Sequence, residues 1–198
     1  INHGLAVGFI PLVTWIEYLG FKKGGKNAIV NNEWDQLAHR LMTVAFIITT
    51  TIGAMTGVGI WFASSLVNPA SIGSLIRVFY GAWFVEWTVF VTEVVLILLY
   101  YLSWKRSLVS IEAKAKHIKL GAALSIFSWI TMSIIVSILG FMMDTGSWVE
   151  NKTFIAGFTN PIYIPQLAFR TPLAALMAGA IGLFLTKLFT KNGSSFQQ

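Results

Sequence analysis

The sequence predicts an all-α fold, a polytopic membrane bundle of about five transmembrane helices, and three observations predict it. The 198 residues are 56% hydrophobic and 11% charged, with a positive mean hydropathy, far from the balance of a soluble domain. No formally charged side chain stands between Arg40 and Arg77. Apolar runs cover roughly 4–21, 41–66, 78–104, 118–143 and 166–190, each long enough to span a bilayer.

The first run carries Pro11 and Glu17 and stops at "KKGGK", where paired glycines and lysines end a helix at a membrane surface. The polar, turn-rich "NAIVNNEWDQ" links it to the second run. "VNPASIG" reads as the loop before the third run, and "MMDTGSWVENKTFIAGFTNPIYIP" as the loop before the fifth. "KNGSSFQQ" reads as a short solvated tail. The reading is therefore one transmembrane domain over 1–198, without an internal repeat. The start at Ile1 without methionine leads to the expectation that a few N-terminal residues are missing or cleaved.

Basic residues set an expected orientation. Lys22, Lys23, Lys26, Arg40, Lys105, Arg106, Lys114, Lys116, Lys119, Lys187 and Lys191 fall on one side, and only Arg77, Lys152 and Arg170 on the other. The positive-inside rule then places the N-terminus outside and the C-terminus in the cytoplasm. The net charge of +6 is topological, with no amphipathic basic face and no stacking aromatics to suggest nucleic acid. Without cysteine, the chain has no disulfide, thiolate metal site, iron–sulfur cluster or covalently attached c-type haem.

Some residues are costly where they stand. A carboxylate near mid-bilayer costs about 2.5–3.5 kcal/mol, so such acids face a bundle interior or a water-filled path. Glu86 and Glu93 are seven apart, which puts them on one helix face about 10 Å from each other along the axis. Thr92, beside them, is placed to bond back to the helix. Two readings stand for this stripe: a polar contact between helices, or a proton path or cofactor pocket. Glu17 lies close enough to Lys22 and Lys23 to snorkel to the inner surface. His3, at the outer mouth of helix 1, is placed to ligate a haem iron, whereas His39 and His117, beside Arg40 and Lys116, read as surface residues. Met42, Met55, Met132, Met142, Met143 and Met177 read as lipid or core filler. Trp61, Trp83, Trp104, Trp148 and Tyr163, near the ends of runs, read as an interfacial belt, with quinone stacking as the alternative.

The stretch "EWTVFVTEVVLILLYYLSWKR" resembles the third helix of subunit I of the cytochrome bd quinol oxidases. "NHGLAVGFIPLVTWIEYL" resembles that family's first helix, "MTGVGIWF" the end of its second, "SIFSWITMSIIVSILGFM" its fourth and "NPIYIPQLAFRTPLAALMAG" the start of its fifth. The resemblance runs collinearly over nearly the whole chain and corresponds to the N-terminal half of the family's subunit. It implies His3 as an axial haem ligand and Glu86 and Glu93 as proton-path or haem-pocket acids. It departs at "AFRT", where Arg170 takes the place of the family's low-spin haem histidine. A guanidinium has no lone pair to give to iron, so that site is expected to be lost, with Arg170 holding a propionate or another anionic partner instead.

The expected function is that of a membrane-embedded subunit of a bacterial respiratory electron-transfer complex in the cytoplasmic (inner) membrane. It supports quinol and haem electron transfer and proton movement together with other membrane subunits, and is not a complete oxidase alone. The implied cofactors are a b-type haem and quinone, and c-type cytochromes are among the implied partners. A haem-free scaffold or anchor subunit is the alternative. A proton-coupled transporter is less favoured, since no Gly/Pro-broken helices stand in corresponding halves. The orientation has a direct check, because the chain has no native cysteine: Ser147→Cys is expected to react with an impermeant maleimide from the outer side of sealed cells, and labelling only from the cytoplasmic side overturns it.

Overall fold

A computed structural model describes residues 2–24 and 33–189. Among them, five helices are long and apolar enough to cross a membrane, over Gly4–Gly24, Glu33–Val67, Tyr80–Leu102, Ile111–Met143 and Tyr163–Phe189. The second and fourth begin well before the predicted 41 and 118. The reason is chemical: Asp35, Lys114 and His117 are buried inside the bundle, so the polar starts of these helices belong to the packed structure.

Helix α1 (Asn2–Gly24) keeps its course through Pro11. Helix α2 (Glu33–Ile47) runs through a π turn at Ile48–Gly53 into α3 (Ala54–Val67). Around that turn Thr49, Thr50 and Thr51 donate to the carbonyls of Ala45, Phe46 and Ile47 at 2.9, 2.6 and 2.5 Å. Hydroxyls that bond back in this way occupy carbonyls of the irregular ladder. The predicted loop "VNPASIG" is mostly helix: Asn68 leaves helical geometry, and Pro69 opens α4 (Pro69–Val78) at the position where its missing N–H costs nothing.

Helix α5 (Tyr80–Leu102) leads into the short α6 (Trp104–Ser107). Helix α7 (Ile111–Met143) starts at Ser110, whose hydroxyl accepts from the Ala113 amide at 3.1 Å. The predicted loop after it holds α8 (Trp148–Asn151) and α9 (Phe154–Phe158), and α10 (Tyr163–Phe189) follows.

Helix α1 is central, packed on α2, α7 and α10, while α5 packs against α7. The last pair is antiparallel. Tyr100 stacks on His117 near one end and Phe79 on Phe141 near the other, each with ring centroids 4.4 Å apart. Lys22, Lys23, Arg40, Lys105, Arg106, Lys116 and Lys187 make the first of these the basic end. Its core joins Phe9, Ile10, Val13, Leu37, Leu41, Met42, Ile97 and Leu124. At the other end, Phe79, Ala82, Ile134, Ile138 and Phe141 form a smaller core under Trp148 and Phe158. Helix α3 stands apart: Met55, Val58, Ile60 and Phe62 are exposed, and Trp61 reaches α5 edge-on at Trp83, 4.6 Å between centroids.

Close approach of α1 and α10 depends on Gly8. A Cβ there would strike the Ala174 carbonyl oxygen and lie 2.7 Å from the Ala178 Cβ, whereas a Cβ on Gly57 would meet nothing within 4 Å. Gly8→Val is therefore expected to destabilise the bundle by roughly 1–3 kcal/mol through overpacking. Gly57→Val is expected to stay within about 0.5 kcal/mol. Unfolding of both variants in detergent checks the contrast.

Candidate functional site

Three helix faces converge at the basic end. On α1 the buried positions Phe9, Ile10, Val13 and Glu17 recur at three- and four-residue spacing, as do Glu93, Ile97, Tyr100 and Trp104 through α5 and α6, and Lys114, His117, Gly121, Leu124 and Ser128 on α7. Each face carries polar or aromatic side chains at its basic end: Glu17 on α1, Tyr100 and Trp104 on α5 and α6, Lys114 and His117 on α7. With Asp35 from α2, these ends form one buried cluster.

Lys114 is its hub. Its ammonium lies 2.7 Å from Glu17 Oε1, pairs closely with Asp35 Oδ1, and sits 5.1 Å from the Trp104 ring centroid. Trp104 Nε1 donates to Asp35 Oδ2 at 3.1 Å, and Tyr100 Oη donates to Glu17 Oε2 at 2.6 Å. His117 Nδ1 is 2.6 Å from Glu17 Oε1, and its Nε2 is 2.9 Å from the Tyr100 carbonyl oxygen. Gly121 makes room: a Cβ there would lie 2.5 Å from Thr14 Oγ1 and 2.9 Å from the Tyr100 ring.

These positions correct several expectations. Glu17 does not snorkel; it is 1% exposed because Lys114, His117 and Tyr100 supply inside the bundle the donors that water would supply outside. His117 is buried, and Lys114 is a core residue as well as a positive charge. His39 is half-buried, its ring centroid 5.0 Å from that of Trp104 and 5.7 Å from that of Tyr101. Trp104 is 3% exposed and belongs to the cluster, not to an interfacial belt.

Glu93 stands apart from the cluster. It is 3% exposed, two helical turns from Tyr100, and among the described residues it joins none of the ion pairs. Ser128 lies seven residues beyond Gly121, against which Tyr100 packs, so the antiparallel register brings Ser128 to the level of Glu93. The Ser128 hydroxyl is fully buried and has no hydrogen-bond partner among the described residues. Glu86 lies on the same side of α5 but is only partly buried. Thr92 bonds back to the Thr88 carbonyl at 2.8 Å, as its sequence position suggests.

The remaining candidates are separate. His3 falls in the first turn of α1, and its side chain lies outside the described residues. Arg170 is partly buried on α10, where its Nε donates to Gln166 Oε1 at 2.8 Å, and among the described residues it forms no ion pair. A haem bound at His3 would find no second ligand in His117, whose two ring nitrogens are both engaged, nor in Arg170.

No family model, curated protein or solved structure matches the chain.

The cluster carries a stability prediction. Lys114→Ala leaves two carboxylates buried beside each other without their cation, a change expected to cost roughly 3–5 kcal/mol. Lys116→Ala, two residues away on the exposed side, is expected to stay within about 0.5 kcal/mol. Comparing the unfolding midpoints of the two variants in detergent checks this.

Proposed function

We propose that the chain is a multi-pass subunit of a respiratory electron-transfer complex in a bacterial cytoplasmic membrane, and that Glu93 is its proton-transferring group. The observation that carries the reading is the isolation of Glu93. Glu17, Asp35, Lys114 and His117 are buried in one another's company, but Glu93 is buried without an ionic partner among the described residues. An acid in such a place costs stability and packs no better than leucine. What it adds is a carboxyl group that takes and gives a proton, with the Ser128 hydroxyl at its level and Glu86 two turns further along.

The resemblance to the first half of cytochrome bd subunit I supplies the class of complex. It brings electron transfer from quinol or a c-type cytochrome, a b-type haem with His3 as this chain's ligand, and partner subunits that complete the machine. When bound, the haem supplies one-electron chemistry. This chain's residues then exclude water around Glu93, move its proton, and present the Arg170 guanidinium to an anion such as a propionate, a lipid phosphate or a partner carboxylate. The basic end faces the cytoplasm in this reading, with the N-terminus outside.

A haem-free scaffold is the second reading, favoured by Arg170 where the family has a ligand and by the engaged ring of His117. An optical spectrum of the purified complex separates the two. A Soret band that His3→Ala abolishes supports the redox subunit; a Soret band unchanged by that substitution assigns the haem to partners and leaves a scaffold. In a complex that turns over quinol, Glu93→Gln is expected to slow the proton-coupled step at least about tenfold, at the lower end of general acid–base contributions, with assembly intact. Turnover equal to wild type removes Glu93 from the proton path.

A further inference from the structure

Two side chains of opposite charge type stand inside the long helices, each without a counter-charge. Glu86 on α5 and Arg170 on α10 are both partly buried, and neither joins an ion pair among the described residues. Arg170 uses Nε on Gln166 of its own helix at 2.8 Å, and its two terminal nitrogens have no partner among the described residues. Their surroundings are apolar: Val85 and Phe90 beside Glu86, and Phe169 and Leu173 beside Arg170, are exposed. Ionisable groups within a membrane span pair with one another or face a polar interior. An arginine keeps its charge even there. The two cannot serve each other by helix packing, since α10 packs on α1, α2 and α7, and α5 on α2, α4, α6 and α7.

Contacts with α7 give the depth of each. Tyr100 stacks on His117 and Phe79 on Phe141. Glu86, fourteen residues from Tyr100 and seven from Phe79, therefore lies level with about 131–134 of α7. On the other flank, the Trp129 indole donates to Thr171 Oγ1 at 3.1 Å, and the Ser133 and Tyr163 hydroxyls are 2.5 Å apart. Arg170, next to Thr171 and seven residues from Tyr163, lies level with about 126–130. The two levels differ by about 7 Å along the axis at 1.5 Å per residue, a gap that a long arginine side chain spans. Glu93 lies at a similar depth, but at 3% exposure it is closed to a neighbour.

We propose that the chain associates with a second copy of itself, α5 of one copy against α10 of the other, through an ion pair between Glu86 and Arg170. Copies inserted with one orientation are related by rotation about the membrane normal, which leaves every depth unchanged. Two residues meet across such an interface only when they share a level, and these two do. Each copy supplies one acid and one base, so the charges balance whether the contact is made once or reciprocally. A planar guanidinium binds a carboxylate through two parallel hydrogen bonds, and the apolar rim formed by Phe90 and Leu173 keeps the pair dry. The proposal rests on the chain's being a multi-pass membrane protein and not on its redox role, so a spectrum that assigns the haem to partners leaves it standing.

Disulfide trapping in native membranes tests this, because the chain has no cysteine of its own. One copy carries Phe90→Cys and a second, differently tagged copy carries Leu173→Cys; both positions are exposed, one turn from Glu86 and Arg170 respectively. Oxidation is expected to join the two copies, whereas Leu183→Cys, exposed further along α10, is expected to give no such product with Phe90→Cys. Glu86→Gln in the first copy, or Arg170→Gln in the second, is expected to weaken the association at least about tenfold, as removal of one member of a buried charge pair does. Glu86→Arg in the first copy together with Arg170→Glu in the second is expected to restore the trapping that either reversal alone abolishes. No disulfide between 90 and 173, equal trapping at 183, or trapping unchanged by both Gln variants overturns the proposal. Where a charge reversal fails to insert, the parent pair and the Gln variants decide.

Discussion

A charge removed from water must find its counter-charge inside the protein, and the arrangement of the basic end follows from this constraint. Lys114 answers it for two acids at once, drawing Glu17 of α1 and Asp35 of α2 onto α7. Tyr100 and Trp104 then tie α5 and α6 to the same carboxylates. Such a network adds little net stability over a well-packed apolar core, because desolvation offsets much of the attraction. Its effect is on register: apolar faces tolerate a slip of one helical turn, but a buried acid moved 5.4 Å from its ammonium does not.

The two kinds of buried acid in the bundle differ in what surrounds them. Glu17 accepts from several donors and is held in place by them. Glu93, two turns beyond Tyr100, has apolar neighbours such as Ile97 on its own face and lies level with the Ser128 hydroxyl, which has no hydrogen-bond partner among the described residues. The first setting fixes geometry. The second supplies no such fixing partner among the described residues.

Much of the fold was legible because hydropathy depends on local composition. The five long helices and Thr92's bond back to its own helix could be read directly. The cluster could not, since it joins residues as distant as Glu17 and His117. Linear reading paired Glu17 with Lys22 and Lys23, its neighbours in sequence, while its partners lay on α7, the fourth of the five long helices. A signal did exist: the stripe of Gly121, Leu124 and Ser128 continues backward at helical spacing through His117 to Lys114. Extending it past the edge of the apolar run would have put both residues on the packed face. The loops were misread for a different reason, since Pro69 and Asn68 punctuate the chain but also start a helix, and Thr153 does the same for α9 through a 3.3 Å bond to the Ala156 amide.

The π turn between α2 and α3 has a consequence for how this protein can vary. Before it, Leu37, Ala38, Leu41, Met42 and Ala45 are buried against the bundle; after it, no residue of the same long helix is. An extra residue in one turn rotates everything downstream by about 100°. The first half of that helix must fit named neighbours in this chain atom by atom, whereas the second half is under no such constraint from the described residues. Mutational tolerance along this one rod should therefore change abruptly at Ile48, like a ruler whose second half is graduated in coarser units.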